Sequence, residues 1–249
     1  MGPAVILGVD VAVAPQNTGW AVAAPADGGW RVEAAGCGRR NTPLTAGLAE
    51  AVDARRPVLL CLDAPLGWPA ALGAALAEHR AGEPLTAPPR SLFTRATDHA
   101  LRERLGKRPL DVGADRIART AHAALALLAA LRHRLDHALP LITAPTVSAA
   151  GAVAETYPAG TLLAHGLHRP GYRRAEAADA RRAIAGALAG SHALDASPVT
   201  EACAARTDTL DAVLCVAAGI DLLDGRAVPP DDPLTAAREG WIWCARGAD

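Results

Sequence analysis

A short apolar run, Val5-Ile-Leu-Gly-Val9, ending on a carboxylate at Asp10, constrains this chain more than any other feature. It is long enough for a buried strand and too short for a helix. Gly8 leaves the backbone open to close approach just before the acid. Val11 to Asn17 reads as a loop, and Thr18 to Ala23 as a second strand folding back on the first. A carboxylate at the tip of a buried strand costs free energy unless it is paired, hydrogen-bonded or bound to a metal. Asp10 therefore either accepts hydrogen bonds from its own turn or is the first ligand of a metal site.

The remaining chain alternates in a way that suits an α/β fold. Ala26-Asp-Gly-Gly29 reads as a hairpin turn, and Trp30 to Cys37 as a third strand. A helix is expected from Asn41-Thr42-Pro43, with Thr42 as N-cap and Pro43 at the first helical position, to about Arg55. Pro57 to Leu62 is a second short apolar run, and it too ends on an acid, Asp63. Residues 68–140 read as mostly helical: Pro69 to Arg80, Thr94 to Leu105 and Ala114 to Leu139, with a Pro-rich loop at Pro84, Pro88 and Pro89. Ala149 to Tyr157 is a further strand carrying Glu155 and stopped by Pro158. Ala175 to Ala189 and Thr207 to Leu223 are helical, and the tail from Pro229 is irregular. Three antiparallel strands followed by helix-linked strands predict a mixed five-stranded sheet with helices on both faces. The right-handed crossover rule allows the second apolar run to lie beside the first, with Asp10 and Asp63 at neighbouring strand ends. A single domain over residues 1–249 is expected, with a helical insert at about 68–140.

Composition narrows the setting. The formal net charge is -1 over 249 residues, so no global field draws the chain to nucleic acid or to a membrane surface. No apolar stretch is long and clean enough to span a bilayer, and no signal peptide is visible at the start. Five cysteines without a Cys-x-x-Cys pair argue against a zinc ribbon or redox motif. Cys61 and Cys215 sit in apolar runs and read as core residues. A cytoplasmic location fits these features.

Near the C-terminal end, Arg206-Thr-Asp208-Thr-Leu-Asp211 opens a helix on which Asp208 and Asp211 share a face. Leu210, Val213, Leu214 and Ala217 form an adjacent apolar stripe. An acid in the first turn of a helix also serves as a cap or complements the dipole, so the pair gains meaning only beside Asp10 and Asp63.

These pieces carry a resemblance. Ile6-Leu-Gly-Val-Asp10 with Thr18-Gly-Trp-Ala-Val22 looks like the first hairpin of RuvC-type resolvases of the ribonuclease H-like fold. Asp208-x-x-Asp211-Ala looks like the acidic pair on their last helix. More closely, the chain resembles the domain-of-unknown-function family 429, predicted nucleases of that fold. The matching pieces are Leu62-Asp-Ala-Pro-Leu-Gly67, Arg95-Ala-Thr-Asp98, Glu155-Thr-Tyr-Pro158, Gly171-Tyr-Arg173, Asp208-Thr-Leu-Asp-Ala212 and Glu239-Gly-Trp-Ile242. They run in order over nearly the whole chain. Arg173 stands where the family typically has lysine; the charge is kept, but a compact ammonium contact is not.

The resemblance implies an α/β, ribonuclease H-like sheet and metal-dependent phosphodiester hydrolysis, with Mg2+ or Mn2+ held by hard oxygen ligands. Carried over by residue, Asp10, Asp63 and Asp211 are the metal ligands, Asp208 assists, and Glu155 either binds metal or orients Tyr157 and Arg95. Arg95, Tyr172 and Arg173 are substrate-binding candidates, and the partner is nucleic acid or a small phosphoester. Actin-like kinases share such a core, so a nucleotide-binding phosphotransferase is the alternative, although their Gly-rich phosphate turns are not evident. A non-catalytic binding module of the same fold is the third reading. The Arg102, Arg104, Lys107, Arg108, Arg116 and Arg119 series reads as a solvated helix face neutralised by nearby acids. His165 and His168 form an isolated His-x-x-His, too weak for a metal motif and expected at the surface or as caps. Trp241 and Trp243 are expected to pack the tail onto the domain.

Overall fold

Three consecutive strands come first, and helix-linked strands follow them. The computed structural model describes residues 5–40, 42, 44–50, 57–113, 115–148 and 151–247. The strands are β1 (Val5–Asp10), β2 (Gly19–Ala26), β3 (Gly29–Cys37), β4 (Val58–Asp63), β5 (Ala152–Glu155) and β6 (Leu194–Asp195). The helices are α1 (Leu44–Glu50), α2 (Ala70–Leu76), α3 (Pro89–Phe93), α4 (Ala96–Leu105), α5 (Asp115–Leu135), α6 (Pro158–Ala164), α7 (Ala178–His192), α8 (Thr200–Ala205), α9 (Thr207–Leu223) and α10 (Pro233–Glu239). The expected helix start at Asn41 and Pro43 and its end at Arg55 lie outside the described residues. So do the expected first residues of two later elements, Ala114 and Ala149.

The sheet has the order β5-β4-β1-β2-β3-β6. β1, β2 and β3 form an antiparallel meander, while β4 lies parallel to β1 and β5 parallel to β4. The sheet has six strands rather than the five expected. β6 is only two residues long, pairing Leu194 and Asp195 with Trp30 and Arg31, and so brief a strand leaves no alternation to read. Four short helices were also missed, α3, α6, α8 and α10. All but α8 open on a proline at the first position: Pro89, Pro158 and Pro233. A proline that ends a strand is also pre-set to start a helix. The helix expected to run to Arg80 stops at Leu76, and the one expected to reach Leu139 stops at Leu135.

Period-two alternation divides the sheet into two buried faces. Ile6, Ala21, Ala23, Leu59 and Cys61 pack against Leu210, Val213, Leu214 and Ala217 of α9 and Ile184 and Leu188 of α7. Val5, Leu7, Val9, Leu60 and Leu62 pack on the other face against Leu48 of α1 and Ala124, Leu128 and Leu131 of α5. The helices therefore cover both faces.

Two glycines set how closely α9 approaches the sheet. A Cβ at Gly8 would strike the Ala212 carbonyl, and one at Gly19 would strike the Asp208 carbonyl. With only hydrogen there, the first turns of α9 press directly on β1 and β2. That contact carries Asp208 and Asp211 to the strand end where Asp10 lies.

Candidate functional site

Three acids stand at the C-terminal ends of three adjacent parallel strands. Asp10 is paired with Asp63 in the β1–β4 register, and Leu62 with Glu155 in the β4–β5 register. The carboxyl edge of parallel strands is where open α/β sheets bind ligands. Two adjoining hollows share Asp10, Asp63 and Arg173. One, of about 440 Å³, is walled by Tyr157 and by Lys107, Arg108, Leu110 and Ile117 from the helical region between β4 and β5. The other, of about 550 Å³, opens towards Asp208, Asp211 and Arg206.

Asp211 is buried and well held. Tyr172 donates its hydroxyl to Oδ1 at 3.0 Å, and Arg173 donates Nη2–H to Oδ2 at 2.8 Å. Arg173 also donates Nε–H to the Tyr172 oxygen at 3.0 Å. Asp208 is paired with Arg206 at 2.6 Å. Asp10 and Asp63 are only partly buried, but neither finds a hydrogen-bond donor among the described residues. The charge balance is uneven: Arg173 is the cation that faces Asp10, Asp63 and Asp211 together. Burial, then the neighbouring Asp63, Asp211 and Asp208, push the Asp10 carboxyl well above its ordinary range. Burial and Asp211 push Asp63 up to about 8, against the pull of Arg173. Burial raises Asp211 to about 6, a smaller rise because Arg173 and Tyr172 favour its charged form.

Glu155, Arg95 and Asp98 occupy a different setting. Arg95 is 1% exposed, and each of its guanidinium N–H groups meets an acceptor. Nη1 and Nη2 donate to Glu155 at 2.9 and 2.7 Å, Nε and Nη2 to Asp98 at 3.2 and 3.1 Å, and Nη1 to the Glu239 carbonyl at 3.2 Å. Glu155 also accepts from the Leu66 amide at 3.0 Å. Glu239 in turn accepts from the Ala70 and Ala96 amides at 2.8 and 3.0 Å. Four of the motifs named above, those holding Asp63, Arg95, Glu155 and Glu239, thus close on one another. Gly240 makes the closure fit: its φ is +84°, and a Cβ there would lie 2.7 Å from Glu155 Oε2.

The structure therefore brings Asp10, Asp63, Asp208, Asp211 and Arg173 around shared space, with Tyr172 behind Asp211. It places Glu155 and Arg95 beside that space, committed to each other. Of the two roles open to Glu155, orienting Arg95 is the one its hydrogen bonds perform. Arg95 has no donor left for a substrate.

Three buried polar residues escaped sequence reading, Arg181, His192 and Asp221. Arg181, 2% exposed, donates to the carbonyls of Tyr172, Arg174, Ala175 and Ala204, and so fixes the loop that carries Tyr172 and Arg173. Its signal was an arginine in phase with Ile184, Ala185 and Leu188 on the buried face of α7. His192 lies on that same buried face of α7, and Asp221 is buried on α9.

No ion is needed to see that the donor set suits a hard dication: carboxylate oxygens in excess over guanidinium, two of them without donors. The acids are spread, however. Among the described residues, the group whose ligand atoms all lie within 4.8 Å of one another is His165, His192 and Asp221, on the far end of α9. Asp211 is already held by Tyr172 and Arg173.

An α/β protein with an acidic site at its parallel strand ends is the class that fold and site define. The family model described as "Protein of unknown function (DUF429)" matches residues 8–235. The chain belongs to that family. No curated protein matches it. Among the described residues, no helix is long and apolar enough to cross a membrane.

Proposed function

We propose that this chain is a metal-dependent phosphodiester hydrolase with a ribonuclease H-like core. The observation that carries the reading is the surplus of carboxylate at one place: Asp10, Asp63 and Asp211 face one shared guanidinium. The strand order, an antiparallel meander extended by two parallel strands, supports the fold assignment. Residues 68–140 are read as an insert within that single domain.

Asp10, Asp63 and Asp211 would hold Mg2+ or Mn2+, which when bound supplies activation of water and stabilisation of the leaving oxygen. Asp208 adds negative charge at the same opening. Arg173 binds a phosphate oxygen: its side chain is 53% exposed, and its bonds to Tyr172 and Asp211 use only Nε and Nη2. Tyr172 and Arg181 position it. Leu110, Ile117 and Tyr157 make one side of the smaller hollow apolar, and Lys107 adds positive charge there.

Hydrolysis of bis(p-nitrophenyl) phosphate and of single-stranded, duplex and branched nucleic acids, with Mg2+ or Mn2+, tests the reading. Asp10→Asn and Asp63→Asn are expected to lower the rate on the order of 100-fold while remaining folded. Undiminished hydrolysis by both variants overturns it. The smaller hollow favours one further reading, nucleotide binding with phosphoryl transfer, because its size suits a ligand of that class. Thermal shift with nucleotides and no hydrolysis of any diester would select it.

A further inference from the structure

We propose a second metal site, for a zinc-class dication, formed by His165, His192 and Asp221. It is separate from the acidic site and does not rest on the hydrolase reading. The helix α9 that begins with Asp208 and Asp211 carries Asp221 in its last turn, about 15 Å further along at 1.5 Å per residue. His165 caps the C-terminal end of α6, and His192 is the last residue of α7. The three side chains thus come from the C-terminal ends of three helices, where a cation is favoured.

The ligand atoms are in place. His165 Nε2 lies 2.9 Å from Asp221 Oδ2, and His192 Nε2 lies 3.4 Å from the same oxygen. All three ligand atoms fall within 4.8 Å of one another, with the imidazole centroids 4.1 Å apart. Two imidazole nitrogens and a carboxylate oxygen, with one position left over, are the donor set of an open tetrahedral zinc centre. Arg226 donates to the other oxygen of Asp221, Oδ1, at 2.8 Å. It fixes the carboxylate and leaves Oδ2 for the ion, as outer hydrogen bonds do around metal ligands.

His192 supplies the second, independent observation. Its side chain is fully buried, and Nε2 has no hydrogen-bond partner. Ser191 donates its hydroxyl to the Ala187 carbonyl at 3.2 Å, and its oxygen is 2.7 Å from His192 Nδ1. His192 Nδ1 is thus engaged by Ser191, and Nε2 is left aimed at the Asp221 carboxylate. In the tautomer with Nδ1–H donating to Ser191, Nε2 offers its lone pair to a cation held between the ring and Asp221. His165, 15% exposed, is the ligand nearest solvent and marks the way in.

Titration of metal-stripped protein with Co2+, read by its visible d–d absorption, and with Zn2+, read by melting temperature, tests the site. The full chain is expected to bind one equivalent of Co2+ with the intense bands of a four-coordinate ion, and to melt higher with Zn2+. His165→Gln, at the partly exposed ligand, is expected to weaken Co2+ binding about 100-fold and to abolish the Zn2+ shift. Asp63→Asn is expected to leave both signals intact, which separates this site from the acidic one. Circular dichroism before titration establishes that the variants are folded. Co2+ binding that is unchanged in His165→Gln, absent from the full chain, or lost in Asp63→Asn would overturn the proposal. The two histidines would then serve only as partners of a buried carboxylate.

Discussion

The molecule holds two carboxylate clusters side by side, and they are built on opposite terms. Around Arg95, Glu155 and Asp98 are almost wholly buried, yet every guanidinium N–H has an acceptor and the Leu66 amide completes Glu155. Around Arg173, Asp10 and Asp63 are less buried but have no donors, and one guanidinium faces three acids. A satisfied network holds strand ends and loops in place. An unsatisfied one stores unfavourable charge, which a bound cation would relieve. Proximity of acids is therefore a poor guide to function by itself; the state of their hydrogen bonds separates the two roles.

The largest effect is expected where the network is satisfied. Arg95→Met leaves Glu155 and Asp98 buried without their counter-charge, which typically costs about 3–5 kcal/mol. Urea unfolding measures it. A loss comparable to that of an exposed charge would mean that water reaches Glu155 and that the two clusters do not differ. Gly240→Ala follows. It places a Cβ 2.7 Å from Glu155 Oε2 on a backbone at φ +84°, a conformation whose cost for other residues is on the order of 1–3 kcal/mol. A drop in melting temperature without loss of metal binding at Asp10 is the expected pattern.

Sequence made one of these clusters legible and hid the other. Asp10 and Asp63 each end a short apolar run, and a run that ends on an acid announces its strand end. The parallel crossover then puts the two side by side, and Gly8 marks where α9 presses in. The Arg95 network joins residues 60 and 144 positions apart. Nothing in the local pattern of Arg95, a polar residue before a helix, states that it will be dry. Its motifs could be recognised in order, but their closure on one another is a property of the fold. β6 and α8 were too short for periodicity to register. Arg181 was legible in principle, since it stands in phase with Ile184 and Leu188, but an arginine on a helix is read by habit as a surface residue.

Asp63→Asn sharpens the comparison by reversing its sign. The Asp63 carboxyl is pushed up to about 8 in the folded chain from an ordinary 3.8. A raised acid pKa means that ionisation opposes folding. Its contribution is favourable below about pH 4 and is lost as pH rises towards 8. In chelator, wild-type stability is expected to fall across that window, and Asp63→Asn to flatten the fall and gain on the order of 1–2 kcal/mol at pH 8. Mg2+ is expected to restore the wild type and leave the variant unchanged. A wild type equally stable at pH 5 and pH 8 in chelator would show that Asp63 is comfortably solvated.

The smallest effect is expected at Arg182, although its contacts are the equal in length of any within the Arg95 network. It meets Asp179 at 2.6 Å and Glu201 at 2.8 Å, but its partners are 100% and 76% exposed. Water and salt screen such pairs, and holding long side chains together costs conformational entropy. Arg182→Ala is expected to leave the melting temperature within the error of a differential scan, at low and at high salt alike. A clear loss that disappears at high salt would show that exposed pairs on α7 do stabilise this fold. The distinction between the dry and the wet clusters would then have to rest on their surplus of charge alone, and no longer on whether solvent reaches them.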